Sequence, residues 1–460
     1  MIISPRDVFD HKSVAALAES AHLEQDRPDV LAELPGSAVG TVPLSPVAQW
    51  MLDRSSGGLR GGGVKRFSQA LLLTAPADLT QDLLVRGLQV LLDRHGMLRA
   101  RLVESDRVME VLPPGSISAE GLIHRVAVDS VDDEGFRALA SGELEAVADS
   151  LDPATADMVR VIWFDLADKP DVSTGRGRLL VVIHHLVVDG VSWRILVTDL
   201  ASVTAQLQAG VTPELPQIGT SFRRWAHGLV EHVGDRSVEL DIWKTILDGD
   251  DPLIGSRPLD PTIDVDDTVD TVTVDISPSA TRNLLTTVPA AFHAGVNDGL
   301  VTAVALASIE WRRRRGMDTA AALITLEGHG REEGAVPGAD LARTVGWFTT
   351  LYRCAWNLAQ STSTTHWQVA PTPGGLSKLS KSTCVRSPIM ESDSGCCGTC
   401  RARATHSADS VLLRSVSTIW AGSAPLTEHR TGCRWRAIEG SAEPRTVHAC
   451  GVRDRHQRGG

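Results

Sequence analysis

The stretch VVIHHLVVDGVSW, residues 181–193, decides how the rest of the chain is interpreted. The apolar run Leu179–Ile183 predicts a buried strand, and the Asp-Gly pair that follows predicts a turn. Since successive strand side chains face opposite ways, only one of His184 and His185 can point into a shared cavity. Asp189, four residues after His185 and followed by a glycine, allows the loop to fold back and hold that imidazole. This pattern is typical of a positioned general base at a strand end; two core histidines beside a turn are the alternative.

A second polar cluster, EGHGRE at residues 327–332, follows the apolar segment 322–326, which predicts another strand. Glycines in such a loop let the backbone turn sharply and approach a ligand closely. A polar loop after a strand, without any catalytic role, is the alternative. The segment RTVGWFT, residues 343–349, lies a short distance further along the chain. These two segments and the histidine stretch are the candidate functional motifs.

The string HHLVVDGVSW resembles the HHxxxDG motif of the condensation superfamily of nonribosomal peptide synthetases. Its trailing VSW resembles the epimerization branch in particular. EGHGRE and RTVGWFT are similar to two further motifs of that branch, and the resemblance covers about residues 43–352. Peptide-bond-forming condensation domains share HHxxxDG but generally lack EGHGR, so the resemblance favours epimerization.

The fold that this resemblance implies is α/β, with two chloramphenicol-acetyltransferase-like lobes in a V arrangement and the active site between them. The N-lobe would span residues 43–220, and the C-lobe would span residues 221–352 and be incomplete. Residues 1–18 resemble the last helix of a truncated peptidyl carrier domain. Residues 19–42 are rich in Pro, Gly and acidic side chains and are predicted to be a linker.

The activity that the resemblance implies is L-to-D epimerization of an aminoacyl or peptidyl residue within nonribosomal peptide synthesis. The residue would be held as a thioester on the phosphopantetheine arm of a carrier domain, whose attachment serine is not in this chain. Inversion through a planar intermediate most simply uses two acid/base groups on opposite faces. His185 and Glu327 are the pair that the resemblance supplies, and the direction of proton transfer between them is left open. A condensation domain, or an inactive fragment that only docks a carrier protein, are the alternatives.

The remaining motif residues are expected to support this pair. They are His184, Asp189, Gly190, Ser192, Trp193, Gly328, His329, Gly330 and Arg331. In addition, residues 98–102 resemble the superfamily segment whose arginine pairs with the motif aspartate. We therefore expect Arg99 to pair with Asp189 and to keep its carboxylate ionised and structural.

Composition restricts the classes of function. A chain of 460 residues with 42% hydrophobic residues is typical of a globular protein of two or three domains. The net charge of −12 argues against general nucleic-acid binding. Without a long apolar stretch or a secretory signal pattern, we expect no membrane association and a cytoplasmic protein. The expected partners are a peptidyl carrier domain and neighbouring synthetase modules, and neither motif suggests a metal.

The composition changes abruptly near residue 354. Residues 354–460 contain 13 Lys and Arg against 7 Asp and Glu, and they contain all seven cysteines. The preceding residues contain 32 Lys and Arg against 50 Asp and Glu. The family resemblance ends at the same place, so the two parts of the chain require separate explanations.

Reading the gene one base back from Arg353 restores sequence that resembles the family. Asn357, for example, then becomes Glu, because the codon of Trp356 ends in G. Permitted codon choices further along give segments that resemble the family's PxxGxGYG region. We hypothesise that a single-base shift, in the gene or its sequencing, replaced the natural C-terminal portion. This predicts an aberrant, disordered tail over residues 353–460. The alternative is a metal module with the ligands Cys396, Cys397, Cys400 and His406, although it lacks a second CxxC.

Overall fold

A computed structural model of the protein describes residues 18, 31–56, 64–76, 78–128, 133–165, 177–248, 251–260, 263–264, 268–270, 272, 274–292, 294–357 and 436–437. The helices in this part of the chain are α1 (Pro46–Ser56), α2 (Gln81–Arg94), α3 (Asp133–Ser150), α4 (Gly190–Gln208), α5 (Phe222–Glu231), α6 (Leu240–Leu247), α7 (Pro278–Arg282), α8 (Val288–Phe292) and α9 (Val296–Arg314). The strands are β1 (Gly40–Pro43), β2 (Ser68–Ala75), β3 (Ala100–Val103), β4 (Val108–Val111), β5 (Ile123–Ala127), β6 (Val159–Asp165), β7 (Gly177–His184), β8 (Ala321–Gly328), β9 (Thr350–Asn357) and β10 (Arg436–Ala437). The mixed α/β class predicted from the sequence is confirmed.

The apolar strand ahead of the two histidines is β7, inside the main sheet of order β10-β2-β7-β6-β5. β7 pairs antiparallel with β2 and β6, and β5 lies parallel to β6. Leu179, Val181 and Ile183 belong to one hydrophobic core, whereas Leu180 and Val182 belong to a second one. Because both faces of β7 are buried, its sequence is a continuous apolar run.

Helices cover both faces of the main sheet. On one face α3 packs through side chains such as Phe136 and Leu144. On the other face α2 and α4 contribute buried leucines, among them Leu88 and Leu196. α2 is capped at its start by Thr80, whose hydroxyl accepts a hydrogen bond from the Leu83 amide at 3.2 Å. The histidine stretch therefore follows a strand that is packed between helices on both faces of the sheet.

Two smaller sheets complete the described structure. β1, β4 and β3 form an antiparallel three-stranded sheet in that order. β8 and β9 form an antiparallel pair that carries the EGHGRE loop at one end. Ile324 of β8, Cys354 and Trp356 of β9, and Ala305 and Ile309 of α9 make a small core of their own.

The first five residues of the predicted tail are part of a strand. Residues 353–357 belong to β9, where Arg353 lies opposite Thr325 and Trp356 opposite Ala322. Cys354 and Trp356 are buried because they alternate toward the small core of α9 and β8. In addition, β10 pairs with the edge of β2. Apart from these two strands the tail lies outside the described residues, and the frameshift hypothesis stays a prediction.

The C-terminal end of the predicted linker is packed against the domain. Residues 31–42 pack against the start of α5, and β1 already begins at Gly40. The Glu33 carboxylate accepts hydrogen bonds from the Ser221 amide at 2.6 Å and from its hydroxyl at 2.8 Å. Arg223 donates to the carbonyl groups of three residues in this segment, Pro35, Ser37 and Thr41. The predicted carrier-domain helix, residues 1–18, lies outside the described residues apart from Ala18.

Within the described residues, no individual helix has the length and apolar character needed to cross a membrane. One pair of helical segments, Pro278–Phe292 and Val296–Arg314, meets the length and composition criteria for a membrane span only when the two are taken together, and the pair is sharply bent.

Candidate active site

His184 is a structural residue of the sheet. Its side chain is fully buried, its Nε2 lies 2.6 Å from the Val64 carbonyl oxygen, and its Nδ1 accepts a hydrogen bond from the Leu186 amide at 3.2 Å. Nε2 therefore carries the ring proton. Burial lowers the pKa of His184 to about 4, so the imidazole is neutral at physiological pH. This histidine holds the segment before β2 against the turn after β7.

His185 lies in an aromatic sandwich. Its ring stacks on Phe67 with centroids 4.7 Å apart and an interplanar angle of 6°. Trp347, from the RTVGWFT motif, lies on it at 4.7 Å and 47°. The backbone amide of His185 donates to the Phe67 carbonyl oxygen at 2.8 Å. Burial lowers the pKa of His185 to about 4, and the nearby Asp189 charge opposes that shift. The second histidine is thus a neutral imidazole at pH 7, the state that a general base requires.

Gln69 of β2 is a contact of His185 that sequence reasoning missed. Its Nε2 lies 2.8 Å from His185 Nε2, and its Oε1 accepts a hydrogen bond from Trp193 Nε1 at 2.8 Å. Trp193, expected to support the motif, therefore reaches the histidine through this glutamine. The signal in the sequence is weak, because Gln69 is one of three polar residues in the strand SQALLLTA.

Asp189 is the centre of a buried hydrogen-bond network. It caps α4 by accepting from the Ser192 amide at 2.7 Å, and the Ser192 hydroxyl lies 2.8 Å from the same oxygen. The Phe348 amide donates to its other oxygen at 3.2 Å. The expectation that Asp189 holds the His185 imidazole is wrong, because its hydrogen bonds go to Ser192, Arg331 and Phe348. Its role is to join three segments of chain.

The expected pairing of Arg99 with Asp189 is also wrong. Arg99 is buried in the turn between α2 and β3 and donates to the carbonyl groups of Leu92, Asp93 and Leu112. It is held there because the last carbonyls of a helix have no partner within the helix, and a nearby cation satisfies them.

The true partner of Asp189 is Arg331 of the EGHGRE loop. Arg331 Nη2 lies 3.0 Å and 3.3 Å from the two carboxylate oxygens and 3.0 Å from the Ser192 hydroxyl. Its Nη1 donates to the carbonyls of Leu341 at 3.1 Å and Thr344 at 2.6 Å. The side chains of Arg331 and Asp189 are only 10% and 5% exposed. One ion pair therefore joins the histidine motif to the second motif.

The glycines of the second motif permit close backbone contacts. Gly330 has a φ of +66°, and a Cβ at this position would lie 1.6 Å from the Phe348 carbonyl oxygen. Gly328 pairs with Thr350, whose hydroxyl oxygen would lie 2.8 Å from an added Cβ. The motif thus needs glycine because β9 and the segment before it run directly alongside. Gly190 differs, because an added Cβ there would meet no atom within 4 Å.

Glu327 lies at the end of β8, is exposed to solvent and is paired with Leu351 of β9. His329 is also exposed, and its Nδ1 accepts a hydrogen bond from the Arg331 amide at 3.0 Å. Its Nε2 lies 3.6 Å from the carboxylate of Glu332, which is buried. Of the two candidate acid/base groups, His185 is partly exposed between two aromatic rings, whereas Glu327 is exposed to solvent.

A second ion-pair cluster lies beside the site and contains Arg343 of the RTVGWFT motif. Arg343 pairs with Asp199 of α4, and the other Asp199 oxygen lies 2.9 Å from His95 Nε2. Burial lowers the pKa of His95, although the hydrogen bond to Asp199 opposes the shift. This cluster fixes the segment that carries Trp347 to the helices behind the main sheet.

Among the described residues, no three His, Cys, Asp or Glu side chains are grouped as metal ligands would be. The cysteines and histidine of the alternative metal module, at positions 396, 397, 400 and 406, lie outside that part of the chain. The expectation, drawn from the sequence motifs, of a site without a metal stays a prediction.

Replacement of His184 by glutamine is expected to reduce the loss of stability in mild acid. The unfolded chain takes up a proton at His184 near pH 6.5, whereas the folded protein does so only near pH 4. The free energy of unfolding therefore falls as the pH drops from about 6.5 to 4, by about 3 kcal/mol for this residue. His184→Gln keeps a donor and an acceptor but removes this contribution, which urea unfolding at several pH values would measure.

The matched control for that experiment is His124→Gln, since His124 is exposed on β5. This variant should show the same pH dependence as the unmodified chain. An unchanged pH dependence in His184→Gln would contradict the neutral, buried state assigned to His184.

Comparison with known sequences places these features in a family. The condensation domain family matches residues 39–367, which extends past the end of the resemblance predicted at residue 352. One of the linear gramicidin synthase proteins of Brevibacillus parabrevis is 34% identical over 360 residues, covering 76% of this chain and 4% of that protein. Chondramide synthase cmdD of Chondromyces crocatus is 33% identical over 372 residues, covering 77% of this chain and 9% of that protein. The chain thus spans a small fraction of the length of the curated relatives that it matches.

Solved structures share the fold. The epimerization domain from the third module of tyrocidine synthetase B superposes with a TM-score of 0.56 at 24% sequence identity, covering 77% of this chain and 73% of that one. The first condensation domain of the calcium-dependent antibiotic synthetase gives a TM-score of 0.51 at 15% identity, covering 76% and 73%. The predicted two-lobed α/β architecture is consistent with both. The chain belongs to the condensation-domain family of nonribosomal peptide synthetases.

Proposed function

We propose that this chain inverts the α-carbon of an aminoacyl or peptidyl residue held as a thioester on a carrier domain. His185 and Glu327 act as the two acid/base groups. The phosphopantetheine arm that carries the residue is part of the substrate and comes from a peptidyl carrier domain. Neighbouring synthetase modules supply that carrier.

The chemistry needs a base on one face of the α-carbon and an acid on the other. One group removes the α-proton, and the C–H electron pair is delocalised into the thioester carbonyl as an enolate. The second group then returns a proton to the opposite face. A correctly placed acid or base contributes about 10²–10⁴-fold to such a step. His185 is suited to this work because its imidazole is unprotonated at neutral pH, so it can take the α-proton, and the imidazolium that forms can act as an acid.

The observation that carries the proposal is the ion pair between Asp189 and Arg331. His185 precedes Asp189 by four residues, and Glu327 precedes Arg331 by four. Four residues of chain span at most about 14 Å, so both candidate groups are tethered close to one fixed point. The chain at the start of β9 also connects the two candidate groups. Leu351 of β9 lies opposite Glu327, and Trp347, just before β9, contacts the His185 ring. This arrangement supports a site with His185 and Glu327 on two different structural elements.

The likeness to the epimerization domain of tyrocidine synthetase B agrees with this proposal at the level of the fold. Because condensation domains share that fold, the functional assignment depends on Glu327 and its loop. Peptide-bond formation is the second candidate, and the same experiment distinguishes it.

The test uses the full chain with a separate peptidyl carrier domain loaded with L-phenylalanine, L-valine or L-leucine as the phosphopantetheine thioester. After incubation in D₂O, the amino acid is released and analysed by chiral chromatography and mass spectrometry. We expect D-amino acid with deuterium at the α-carbon. A second reaction adds another aminoacyl carrier domain as acceptor. Dipeptide formation without deuterium exchange would indicate a condensation domain. The absence of both reactions would also overturn the proposal.

Replacement of Glu327 by glutamine is expected to reduce inversion about 10²–10⁴-fold, because the amide neither donates nor accepts a proton as a carboxyl group does. Since His185 remains, deuterium exchange without inversion should persist for one starting enantiomer only. That enantiomer identifies the face on which His185 acts. Glu104→Gln, in the exposed turn between β3 and β4, is the matched control and should leave both rates unchanged. Full inversion by Glu327→Gln would exclude the two-group scheme.

A further inference from the structure

We propose that Gln69 is a positioning residue that holds His185 as the neutral tautomer with its proton on Nδ1 and its lone pair on Nε2. The inference rests on a chain of three side chains, Trp193, Gln69 and His185. Two contacts of 2.8 Å connect them. Neither contact was expected from the sequence motifs.

The orientation of the Gln69 amide follows from Trp193. The indole Nε1–H is a hydrogen-bond donor only, so the group that faces it must be an acceptor. The amide oxygen of Gln69 therefore points to Trp193, where the distance is 2.8 Å. Rotating the amide by half a turn would place two donors against each other. The NH₂ group consequently points the other way, to His185.

The tautomer of His185 follows from that orientation. The Gln69 NH₂ group has no acceptor capacity, so the His185 Nε2 that lies 2.8 Å away must accept the hydrogen bond. In a neutral imidazole the proton is then on Nδ1. His185 Nδ1 has no hydrogen-bond partner within the described residues, so the Gln69 contact at Nε2 is the one that sets the tautomer.

The ring cannot easily turn away from Gln69. Phe67 and Trp347 contact the imidazole with centroid distances of 4.7 Å each. Gln69 itself is fixed in β2, where it lies opposite Ile183 of β7. The charged group that faces His185 most directly is Asp189, and its charge is balanced by Arg331. The glutamine is therefore the neighbour that determines which nitrogen of His185 carries the proton.

His184 provides a contrast in the adjacent position. Its Nε2 faces the Val64 carbonyl oxygen and its Nδ1 accepts from the Leu186 amide. Its proton must therefore be on Nε2. Two neighbouring histidines in one turn thus have opposite tautomers, each set by its hydrogen-bond partner.

This assignment deepens the proposed function and in that respect rests on it. When the α-proton is removed, it forms a bond to Nε2, the C–H electron pair passes to the thioester enolate, and the Gln69 hydrogen bond to Nε2 breaks. Because a donated hydrogen bond stabilises the unprotonated nitrogen, Gln69 keeps His185 available as a base before substrate arrives. The tautomer itself is measurable without any substrate.

The test is ¹⁵N–¹H correlation spectroscopy through the two-bond and three-bond couplings of the imidazole, on the full chain with ¹⁵N-labelled histidine. The signals of His184 and His185 are assigned by their loss in His184→Gln and His185→Gln. At pH 7 we expect His185 with a protonated Nδ1 and an unprotonated Nε2, and His184 with the reverse. A protonated Nε2 on His185 in the unmodified chain would overturn the proposal without any variant at position 69.

Two variants then test the role of the glutamine. Gln69→Glu replaces the NH₂ donor with a carboxylate, which should move the proton of His185 to Nε2 and raise its pKa by about 1–3. Trp193→Phe removes the donor that orients the amide, and it should give a mixture of both His185 tautomers. The His184 signals should not change in either variant, which shows that the end of β7 is intact. An unchanged His185 tautomer and pKa in Gln69→Glu would contradict the positioning role, whereas lost epimerization with the expected tautomers would contradict only the proposed function.

Discussion

Arg331→Ala is expected to destabilise the chain by about 3–5 kcal/mol, because it leaves the buried Asp189 carboxylate without its counter-charge. Asp189 is 5% exposed, and the Arg331 guanidinium is its cationic partner at 3.0 Å. The same substitution removes the donors to the Leu341 and Thr344 carbonyls. Urea unfolding followed by tryptophan fluorescence would measure the loss.

The control for this experiment is the double variant Arg331→Ala with Asp189→Asn. Since the amide carries no charge, it removes much of the cost of an unpaired buried carboxylate. The double variant should therefore be more stable than Arg331→Ala alone. If the single and the double variant lose the same free energy of unfolding, the ion pair contributes little to stability. The remaining hydrogen bonds would then hold the two motifs together.

His185→Ala is expected to lower the rate of inversion of a carrier-bound aminoacyl group by about 10²–10⁴-fold. The imidazole is the group of the histidine stretch that is neutral, partly accessible and free of a structural ion pair. Deuterium exchange without inversion should remain for one starting enantiomer, opposite to the one that persists in Glu327→Gln. Measuring both enantiomers by mass spectrometry and chiral chromatography would reveal this reciprocal pattern.

A slower reaction in His185→Ala could come from weaker binding of the carrier domain or from a slower chemical step, and the two must be measured separately. The rate at saturating carrier domain should fall in His185→Ala, while the carrier concentration that gives half the maximal rate should change little. The His184→Gln variant is a control, because His184 holds the sheet and does not act on substrate. Inversion at the normal rate in His185→Ala would contradict the assignment of the base.

Much of the fold was predictable from local sequence. The continuous apolar run of β7, with both faces buried, and the capping position of Asp189 before α4 are local features of the histidine stretch. The glycines of EGHGRE indicated a sharp turn and a close approach to a ligand, and the structure shows Gly330 lying against the Phe348 carbonyl instead.

Long-range partners were not predictable in the same way. Arg99 and Arg331 are both arginines near a motif, and nothing in their spacing shows which of them reaches Asp189. The choice depends on which helix end has free carbonyls and which loop passes over α4, and only the packed chain determines this. Gln69 was missed for a similar reason, since its partners come from the turn after β7 and from α4, more than a hundred residues away along the chain.

The first residues of the predicted tail are part of a strand. The change of composition at Cys354 indicated that the family-like sequence ends there, but β9 continues to Asn357. Alternating burial explains this, because Cys354 and Trp356 are apolar side chains at the positions where β9 faces its core. A segment of unrelated composition can complete a strand if its pattern fits that of the neighbouring strand.

The attachment of residues 31–42 to the start of α5 fixes the point from which any upstream domain is tethered. Besides the Glu33 contacts, Arg224 donates to the Ala32 carbonyl at 2.9 Å, and the Leu31 amide donates to the Gly338 carbonyl at 2.9 Å. If residues 19–30 connect a domain to that anchor, as the sequence predicts, the point of attachment would lie within about 40 Å of residue 31. Confinement within such a radius gives a tethered group an effective concentration on the order of millimolar. A substrate arm delivered from that side would encounter this domain at a local concentration that does not depend on the concentration of synthetase in the cell.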